Sequence, residues 1–355
     1  MMRAVLSGDM PRSRVLALIL AVILVALALA PFLFPGVRTV DTAARICVFV
    51  VLVASYDLML GYGGIVSFAH TMFFGIGAYG IALASTHMGR GFDALIVGAG
   101  AGALVAAALA LVIGLFSLRV RAIFFAMITL AVASAVAVLV SQLSGLTGGE
   151  DGLTFQTPRA LSPAFRFGDS LLGVKLNGKL LVYYLVFVGA LILFLLLLRV
   201  VNSPFGRVLQ AIRENPFRAE ALGYRIIYHR TLANVLAAVF AACAGALNAL
   251  WLRYTGPDTS LSFNIMIDIL LIVVIGGMGT LYGAIIGAAL FVLAENYLQT
   301  LMGAAFGALN ASGAGFVANF FNPDRWLLWL GILFILSVYF FPTGIVGKLR
   351  AEPKS

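Results

Sequence analysis

The residue types that carry out chemistry in proteins are few and scattered in this 355-residue chain. Its two cysteines, Cys47 and Cys243, and its three histidines, His70, His87 and His229, show no metal-ligand spacing. No carboxylates are paired for acid–base work. The sequence therefore predicts no metal site, no cofactor and no catalytic centre, and an enzyme is the least favoured function class.

Four ionisable residues lie within or beside long apolar segments: Asp57, His70, Asp268 and Glu295. Such a residue is a candidate functional group wherever its segment spans a membrane, because placing a charge there is costly. Asp57 can reach the membrane surface, since it precedes a glycine-rich turn by four residues, and Asp268 can be solvated near the outer surface. Glu295 lies deepest, so it is a candidate for a substrate or ion path.

The composition decides which elements hold these residues. Apolar residues make up 62% of the chain and charged residues 10%, against about 45–50% and 25% in an average soluble domain. The bilayer is the solvent that stabilises such a composition, and the long continuous apolar runs favour helices over strands. The sequence predicts an all-α polytopic membrane protein with about ten transmembrane helices (8–10) in a single transmembrane domain, 1–355. The predicted spans are 15–34, 42–60, 65–85, 94–116, 122–141, 180–200, 231–252, 264–277, 280–301 and 325–341.

Basic residues near the span ends predict the orientation. With the N-terminus in the cytoplasm, 14 of the 23 lysines and arginines fall on the cytoplasmic side and 9 on the other. This favours cytoplasmic N- and C-termini, an extracytoplasmic loop at 142–178 and a cytoplasmic loop at 201–230. The excess of basic over acidic residues reflects the same bias and contact with lipid headgroups. Without a basic patch interleaved with aromatic residues, no nucleic-acid partner is predicted.

Three glycines, Gly276, Gly277 and Gly279, interrupt the apolar stretch 264–301. Glycines at this density permit a helix to break, and the freed backbone groups must then be buried or wetted. Two arrangements remain open: a re-entrant pair of helices or one broken helix. Many transporters hold their substrates beside such breaks.

A face of polar and small residues runs along the third predicted span through Ser67, His70, Thr71, Ala78 and Ser85. Inside a membrane such a face points into the helix bundle or into a wet cavity. The residues leave two interpretations open, a substrate path and close helix packing.

The cytoplasmic loop predicts a bent pair of short helices. Pro204 suits the first position of a helix, Asn215-Pro216 interrupts that helix, and Gly223 suits the end of a second one. The pair can insert into a groove on a cytosolic partner or rest on anionic lipid. The residues alone slightly favour lipid. The chain has no ATP-binding motif, since its nearest match at 344–349 is too short and lacks the Ser or Thr that holds magnesium.

Several stretches, in the expected order over most of the chain, resemble permease subunits of branched-chain amino acid ABC transporters of the LivM type. The first reads Gly61-Tyr62-Gly63-Gly64-Ile65-Val66-Ser67-Phe68-Ala69-His70 and continues with Phe73-Phe74-Gly75-Ile76-Gly77-Ala78-Tyr79. The others are 124–130 with 147–153, 206–223, Gly276-Gly277-Met278-Gly279-Thr280-Leu281-Tyr282-Gly283 and the tail 341–347.

The resemblance implies the membrane subunit of an ATP-driven importer in a bacterial inner membrane. Its partners would be two cytosolic ABC ATPase subunits, a second homologous permease and an extracytoplasmic solute-binding protein. Within the cytoplasmic loop it implies a segment that docks on the ATPase and overturns the preference for lipid; that segment contains Arg213, Glu214, Asn215, Ala219, Glu220, Ala221 and Gly223. The candidates for a substrate path are Gly61, Gly64, Ser67, His70, Gly75, Gly77, Tyr79 and Glu295.

Two departures from the family pattern bear on the substrate. Asp57 stands where the family usually has Asn, and Ile65-Val66 stand where it has Gln-Leu. A hydrophobic amino acid is the expected substrate, and urea or short amides, which related permeases carry, are an alternative. An ion-coupled secondary transporter that uses Asp57 or Glu295 is the competing function.

Overall fold

A computed structural model describes residues 13–33, 36–117, 122–168, 176–311 and 319–350, and within these ranges the chain is almost entirely helical. Nine of the described helical segments are long and apolar enough to cross a membrane, so the protein is an all-α polytopic membrane protein. The α-helices are α1 (Arg14–Leu33), α2 (Val37–Asp57), α3 (His70–Met88), α4 (Phe92–Ser117), α5 (Ala122–Gln142), α6 (Ser144–Thr147), α7 (Gly178–Val201), α8 (Pro204–Glu214), α9 (Pro216–Ala221), α10 (Ile226–Leu252), α11 (Pro257–Ser260), α12 (Phe263–Gly276), α13 (Leu281–Ala311), α14 (Trp326–Phe340) and α15 (Gly344–Arg350).

Helix α2 is the central helix of the bundle. Its residues from Ile46 to Asp57 are all buried, as expected for a helix that is apolar on every side. It contacts α10, α13 and α7 most extensively. It continues into a π-helical turn, Leu58–Tyr62, after which the chain turns back toward α3.

Helix α3 begins at His70, later than the predicted span at 65–85. Ser67 therefore lies in the preceding loop and does not share a helical face with His70, as the sequence pattern had suggested. Helix α3 is not one of the nine apolar segments. Its 19 residues make it about 28 Å long, which is enough to cross the membrane.

Small residues let α3 pack closely against its neighbours. A Cβ on Gly77 would overlap the carbonyl of Ala242 in α10, and one on Gly80 would lie 2.5 Å from the carbonyl oxygen of Gly98 in α4. Asn234 of α10 donates to the carbonyl of Ala110 in α4 at 2.7 Å. Close backbone approach of this kind drives helix association in lipid.

Helices α12 and α13 form an antiparallel hairpin. Gly276 packs against Gly283, and one turn farther from the connection Ile272 packs against Gly287. The chain reverses at Gly277 and Gly279, whose φ angles are 112° and 79°, a backbone region that favours glycine. The chain therefore reverses at these glycines, so the alternative of one broken helix is wrong, and each arm of the hairpin is long and apolar enough to cross the membrane.

The two ends of the bundle have different structures. The end that carries α8 and α9 also carries the turn between α12 and α13 and the helix α15, and it is called the inner end below. At the opposite, outer end, the two-residue strands β1 (Leu153–Thr154) and β2 (Tyr254–Thr255) pair antiparallel. The chain termini, with Arg119 and Arg121 from the orientation count, lie outside the described residues.

Candidate functional site

The helical loop, residues 201–230, has the predicted bent form. Pro204 begins α8 and Pro216 begins α9. The side chain of Asn215 accepts a hydrogen bond from the backbone N–H of Arg218 at 3.0 Å and so caps α9. Gly223, with φ 93°, ends the second helix.

The two helices of the loop divide into an inward and an outward face. Leu209, Ile212 and Ala219 are buried, so Ala219 packs inside the loop and is not available to a docking partner. The outward face is led by Phe217 and Leu222, which are 83% and 72% exposed. Six of the seven predicted docking residues are exposed, Arg213, Glu214, Asn215, Glu220, Ala221 and Gly223.

Arg213 is exposed, but it differs from the other predicted docking residues because its guanidinium reaches the end of the π-helical turn. Nη1 donates a hydrogen bond to the carbonyl of Gly61 at the end of the π-helical turn. Its aliphatic stem covers Gly64, where a Cβ would lie 3.0 Å from Arg213 Cγ. Gly61 and Gly64, which were predicted to line a substrate path, are thus contacts of the helical loop.

The turn between α12 and α13 meets the same point. The N–H of Gly279 donates to Asp57 Oδ1 at 2.9 Å. A Cβ on Gly61 would overlap both of these atoms, and a Cβ on Gly279 would lie 3.1 Å from Arg213 Nη1. We call these four residues, Asp57, Gly61, Arg213 and Gly279, the inner junction.

The C-terminal segment closes the inner junction from another side. Gly344, with φ 75°, lies so close to Gly277 that a Cβ on it would overlap the Gly277 backbone. Val346 of the following helix is fully buried. Four of the stretches that carry the family resemblance, at 61–70, 206–223, 276–283 and 341–347, therefore meet in one place.

His70 and Ser67 anchor the loop that leads into α3. His70 Nε2 lies 2.8 Å from Ser55 Oγ and 3.3 Å from the carbonyl oxygen of Leu52, and the side chain is fully buried. Since that carbonyl can only accept, we assign the ring hydrogen to Nε2. Ser67 Oγ accepts from the N–H of Ala69 at 3.3 Å.

The remaining path candidates on α3 also lie in packed regions. Gly75 faces Leu261, and Gly77 lies between α10 and α4. Tyr79 is buried, and its hydroxyl has no hydrogen-bond partner among the described residues. The two glycines thus lie in close contacts with neighbouring segments, and Tyr79 lies in the protein interior.

Glu295 lies in the outer half of the bundle, where it pairs with Arg45 of α2 at 3.0 Å. The two side chains are 23% and 35% exposed. Arg45 also stacks over Phe49 at 5.2 Å. Asp268 of α12 lies close enough to interact electrostatically with both members of the pair.

Arg45 lines a cavity of about 820 Å³ at the outer end of the bundle. We call this cavity the outer vestibule. Its polar wall includes Lys179, which pairs with Asp41 at 3.0 Å. Its apolar wall includes Phe49, Phe74 and Trp251. The vestibule thus combines charged groups of both signs with aromatic surface.

Residues 38–338 match the family described as the permease component of the branched-chain amino acid transport system. The chain belongs to this permease family. It is 28% identical over 330 residues to the high-affinity branched-chain amino acid transport permease LivM of Salmonella typhimurium, covering 89% of this chain and 72% of LivM. The chain is 28% identical over 348 residues to the LivM of Escherichia coli, and the match covers 94% of this chain and 76% of that LivM. It is 25% identical over 316 residues to the branched-chain amino acid permease BraD of Pseudomonas aeruginosa, and the match covers 86% of this chain and 93% of BraD. No solved structure matches the chain.

Its family membership and its nine apolar segments identify the chain as a multi-pass protein of the bacterial inner membrane and a component of a transport system.

The residues of α2 that line the outer vestibule were not among the predicted site residues. Arg38, Asp41, Thr42, Arg45 and Phe49 all border the cavity. Their spacing of three and four residues marks one helical face, and this spacing was the signal available in the sequence.

Proposed function

We propose that this permease is the membrane subunit of an ATP-driven importer, and that its helical loop docks on a cytosolic ATPase. The observation that carries the proposal is the exposed tip of that loop. Phe217 and Leu222 expose large apolar surfaces on the helical loop at the inner end. Exposed apolar surface of this kind marks a site of protein interaction.

The two carboxylates at the tip favour a protein groove over a lipid surface. Glu214 and Glu220 are exposed on either side of Phe217 in the sequence, with the exposed Arg218 between them. Anionic headgroups repel carboxylates, and a membrane-surface helix carries mainly basic residues on its polar face. A groove with basic residues at its rim and an apolar floor accepts this tip, in the helix-in-groove mode of recognition.

The docking proposal is tested with Phe217→Ala, Leu222→Ala and the double variant. The complex is purified through a tag on the permease, and the ATPase that remains bound is quantified. We expect the double variant to lose most of the bound ATPase and the uptake that depends on it. Phe92→Ala is the matched control, because Phe92 is 51% exposed at the opposite end of the bundle. Full ATPase recovery with the double variant would contradict docking through this tip.

We further propose that the substrate is a hydrophobic amino acid, delivered by a solute-binding protein and passed between this chain and a second, homologous permease. The names of the relatives support the substrate class. Arg45 borders the vestibule beside aromatic surface, and its ion-pair partner Glu295 supplies an anion. A zwitterion can exchange with both charges and leave its side chain on the apolar wall, whereas urea and amides carry no charge to exchange.

The substrate proposal is tested by leucine and urea uptake in proteoliposomes that contain the purified complex and its solute-binding protein. We expect leucine uptake that requires internal ATP and no urea uptake. Uptake that continues without ATP and follows a proton or sodium gradient would instead support the ion-coupled transporter. In that case Glu295→Gln should abolish it.

A further inference from the structure

We propose that Arg213 and Asp57 are positioning residues that carry movement of the helical loop to the α12–α13 hairpin. The inference rests on the proposed function, since it requires a partner that moves the loop. The inner junction supplies the connection, because one hydrogen bond joins the loop to the end of α2 and another joins that same end to the hairpin turn.

The first connection uses a carbonyl that the helix itself leaves unpaired. In a continuing α-helix the Gly61 carbonyl would accept from the N–H of Ile65. Here that N–H donates to the carbonyl of Met59 at 3.0 Å, because the chain passes through the π-helical turn. Arg213 therefore supplies a donor to a helix-end acceptor, and it reaches this acceptor from α8, 152 residues later in the chain.

The second connection joins the end of α2 to the hairpin. Asp57, in the last turn of α2, is 2% exposed and accepts from the N–H of Gly279. Gly279 lies in the turn that reverses the chain between α12 and α13. Both helices extend from this turn toward the outer vestibule, where Ile265 of α12 and Asn296 of α13 line the wall.

The junction is too closely packed to absorb a displacement. A Cβ on Gly61 would overlap Asp57 Oδ1 and Gly279 N, and a Cβ on Gly279 would lie 3.1 Å from Arg213 Nη1 and 3.2 Å from the carbonyl oxygen of Gly61. Gly344 covers the turn through Gly277. Close-packed interiors have low compressibility and transmit strain. A shift of α8 therefore moves the Gly279 turn with it, provided that the two hydrogen bonds remain.

Arg213→Met tests the first connection in the complete transporter. Methionine keeps much of the stem over Gly64 and removes the donor to Gly61. We expect ATPase recovery and ATP hydrolysis close to those of the unaltered complex, and a tenfold or greater loss of leucine transported per ATP hydrolysed. Arg213→Lys, which retains a cationic donor, should restore part of the ratio. Arg207→Met is the matched control on the same helix, since Arg207 is exposed like Arg213 but does not belong to the inner junction, and it should leave the ratio unchanged.

Asp57→Ala and Asp57→Asn test the second connection. Asparagine keeps an oxygen that can accept from Gly279, so it should preserve the ratio, and alanine should lower it as Arg213→Met does. The double variant Asp57→Ala with Arg213→Met should be little worse than either alone, because both act in one chain of contacts. Recovery of folded complex is measured for each variant, and the Asn variant keeps the test decisive if the Ala variant does not fold.

Three outcomes overturn the inference: an unchanged ratio in Arg213→Met, loss of the bound ATPase in that variant, or a ratio in Asp57→Asn as low as in Arg213→Met. The second outcome would make Arg213 a docking contact. Failure of the proposed function is recognised separately. In that case the unaltered complex carries no ATPase and shows no ATP-dependent uptake.

Discussion

The inner junction and the outer vestibule lie along the same two helices but are held together differently. At the inner end, Asp57 and the α12–α13 turn meet through a backbone N–H and through glycines that leave no space. At the outer end, Arg45 and Glu295 join α2 and α13 through an ion pair, and Arg45 borders an open cavity. Arg45 and Asp57 lie about 18 Å apart along α2, so one rigid helix connects a closed contact with one that can open.

The comparison shows which contact can change during a transport cycle. An ion pair between long side chains opens by rotamer changes at little cost to the backbone, particularly when both partners are partly exposed. A contact made by backbone atoms and glycines cannot open unless whole segments move. We therefore expect the inner junction to move as a unit and the outer pair to exchange partners.

The largest effect is expected from Gly61→Ala, which breaks the close contact at the inner end. The new Cβ would overlap Asp57 Oδ1 and Gly279 N, and overpacking of this kind costs about 1–3 kcal/mol. Thermal unfolding in detergent should show the loss, together with a lower yield of folded protein. Gly100→Ala is the control, because a Cβ there meets nothing within 4 Å. It should be neutral or stabilising by about 0.5–1 kcal/mol. Equal unfolding temperatures for the two variants would mean that the junction is not tightly packed.

A smaller effect is expected from Glu295→Gln at the outer end. The substitution leaves Arg45 without its charge partner in a partly buried position. Breaking a fully buried pair costs about 3–5 kcal/mol and an exposed one about 0–1 kcal/mol, so for this partly exposed pair we expect about 1–2 kcal/mol. Replacing both residues with methionine should recover much of the stability and still impair uptake. A double variant with normal uptake would show that the pair has no part in the substrate path.

The smallest effect is expected from Asp41→Asn, which breaks the pair with Lys179 at the rim of the vestibule. Asp41 and Lys179 are 47% and 35% exposed, so the loss should be less than about 1 kcal/mol. It should shrink further in high salt, because exposed charges are screened. Unfolding curves at low and high ionic strength measure both effects. A loss of stability as large as that of Glu295→Gln would show that the more exposed Asp41–Lys179 pair contributes as much as the Arg45–Glu295 pair.

Much of the architecture could be predicted from local sequence. Apolar segments of sufficient length predict helices because an unpaired backbone group in lipid is too costly. The bent loop followed from Pro204, Asn215-Pro216 and Gly223, whose backbone preferences act locally. The glycines at 276–279 predicted an interruption for the same reason, although they left open whether the chain continues or reverses.

The site could be predicted only in part. Arg213 was predicted to face the ATPase, and the sequence did not predict that its guanidinium also donates to the Gly61 carbonyl. Gly75 and Gly77 were predicted to line a path, and they lie in helix contacts. In a helix that is apolar on all sides, hydrophobic periodicity does not show which face meets protein and which meets lipid. Composition cannot decide that question.

The sequence by itself determined the solvent, the helices, the turns and the family of this permease, because each of these depends on local propensity, segment length or ordered motifs. Only the tertiary structure decided that Asp57 meets Gly279, 222 residues away, and that Arg45 meets Glu295, 250 residues away. Such pairs depend on which small residues let helices approach and on how each helix is rotated. These are properties of the packed bundle and of no single segment.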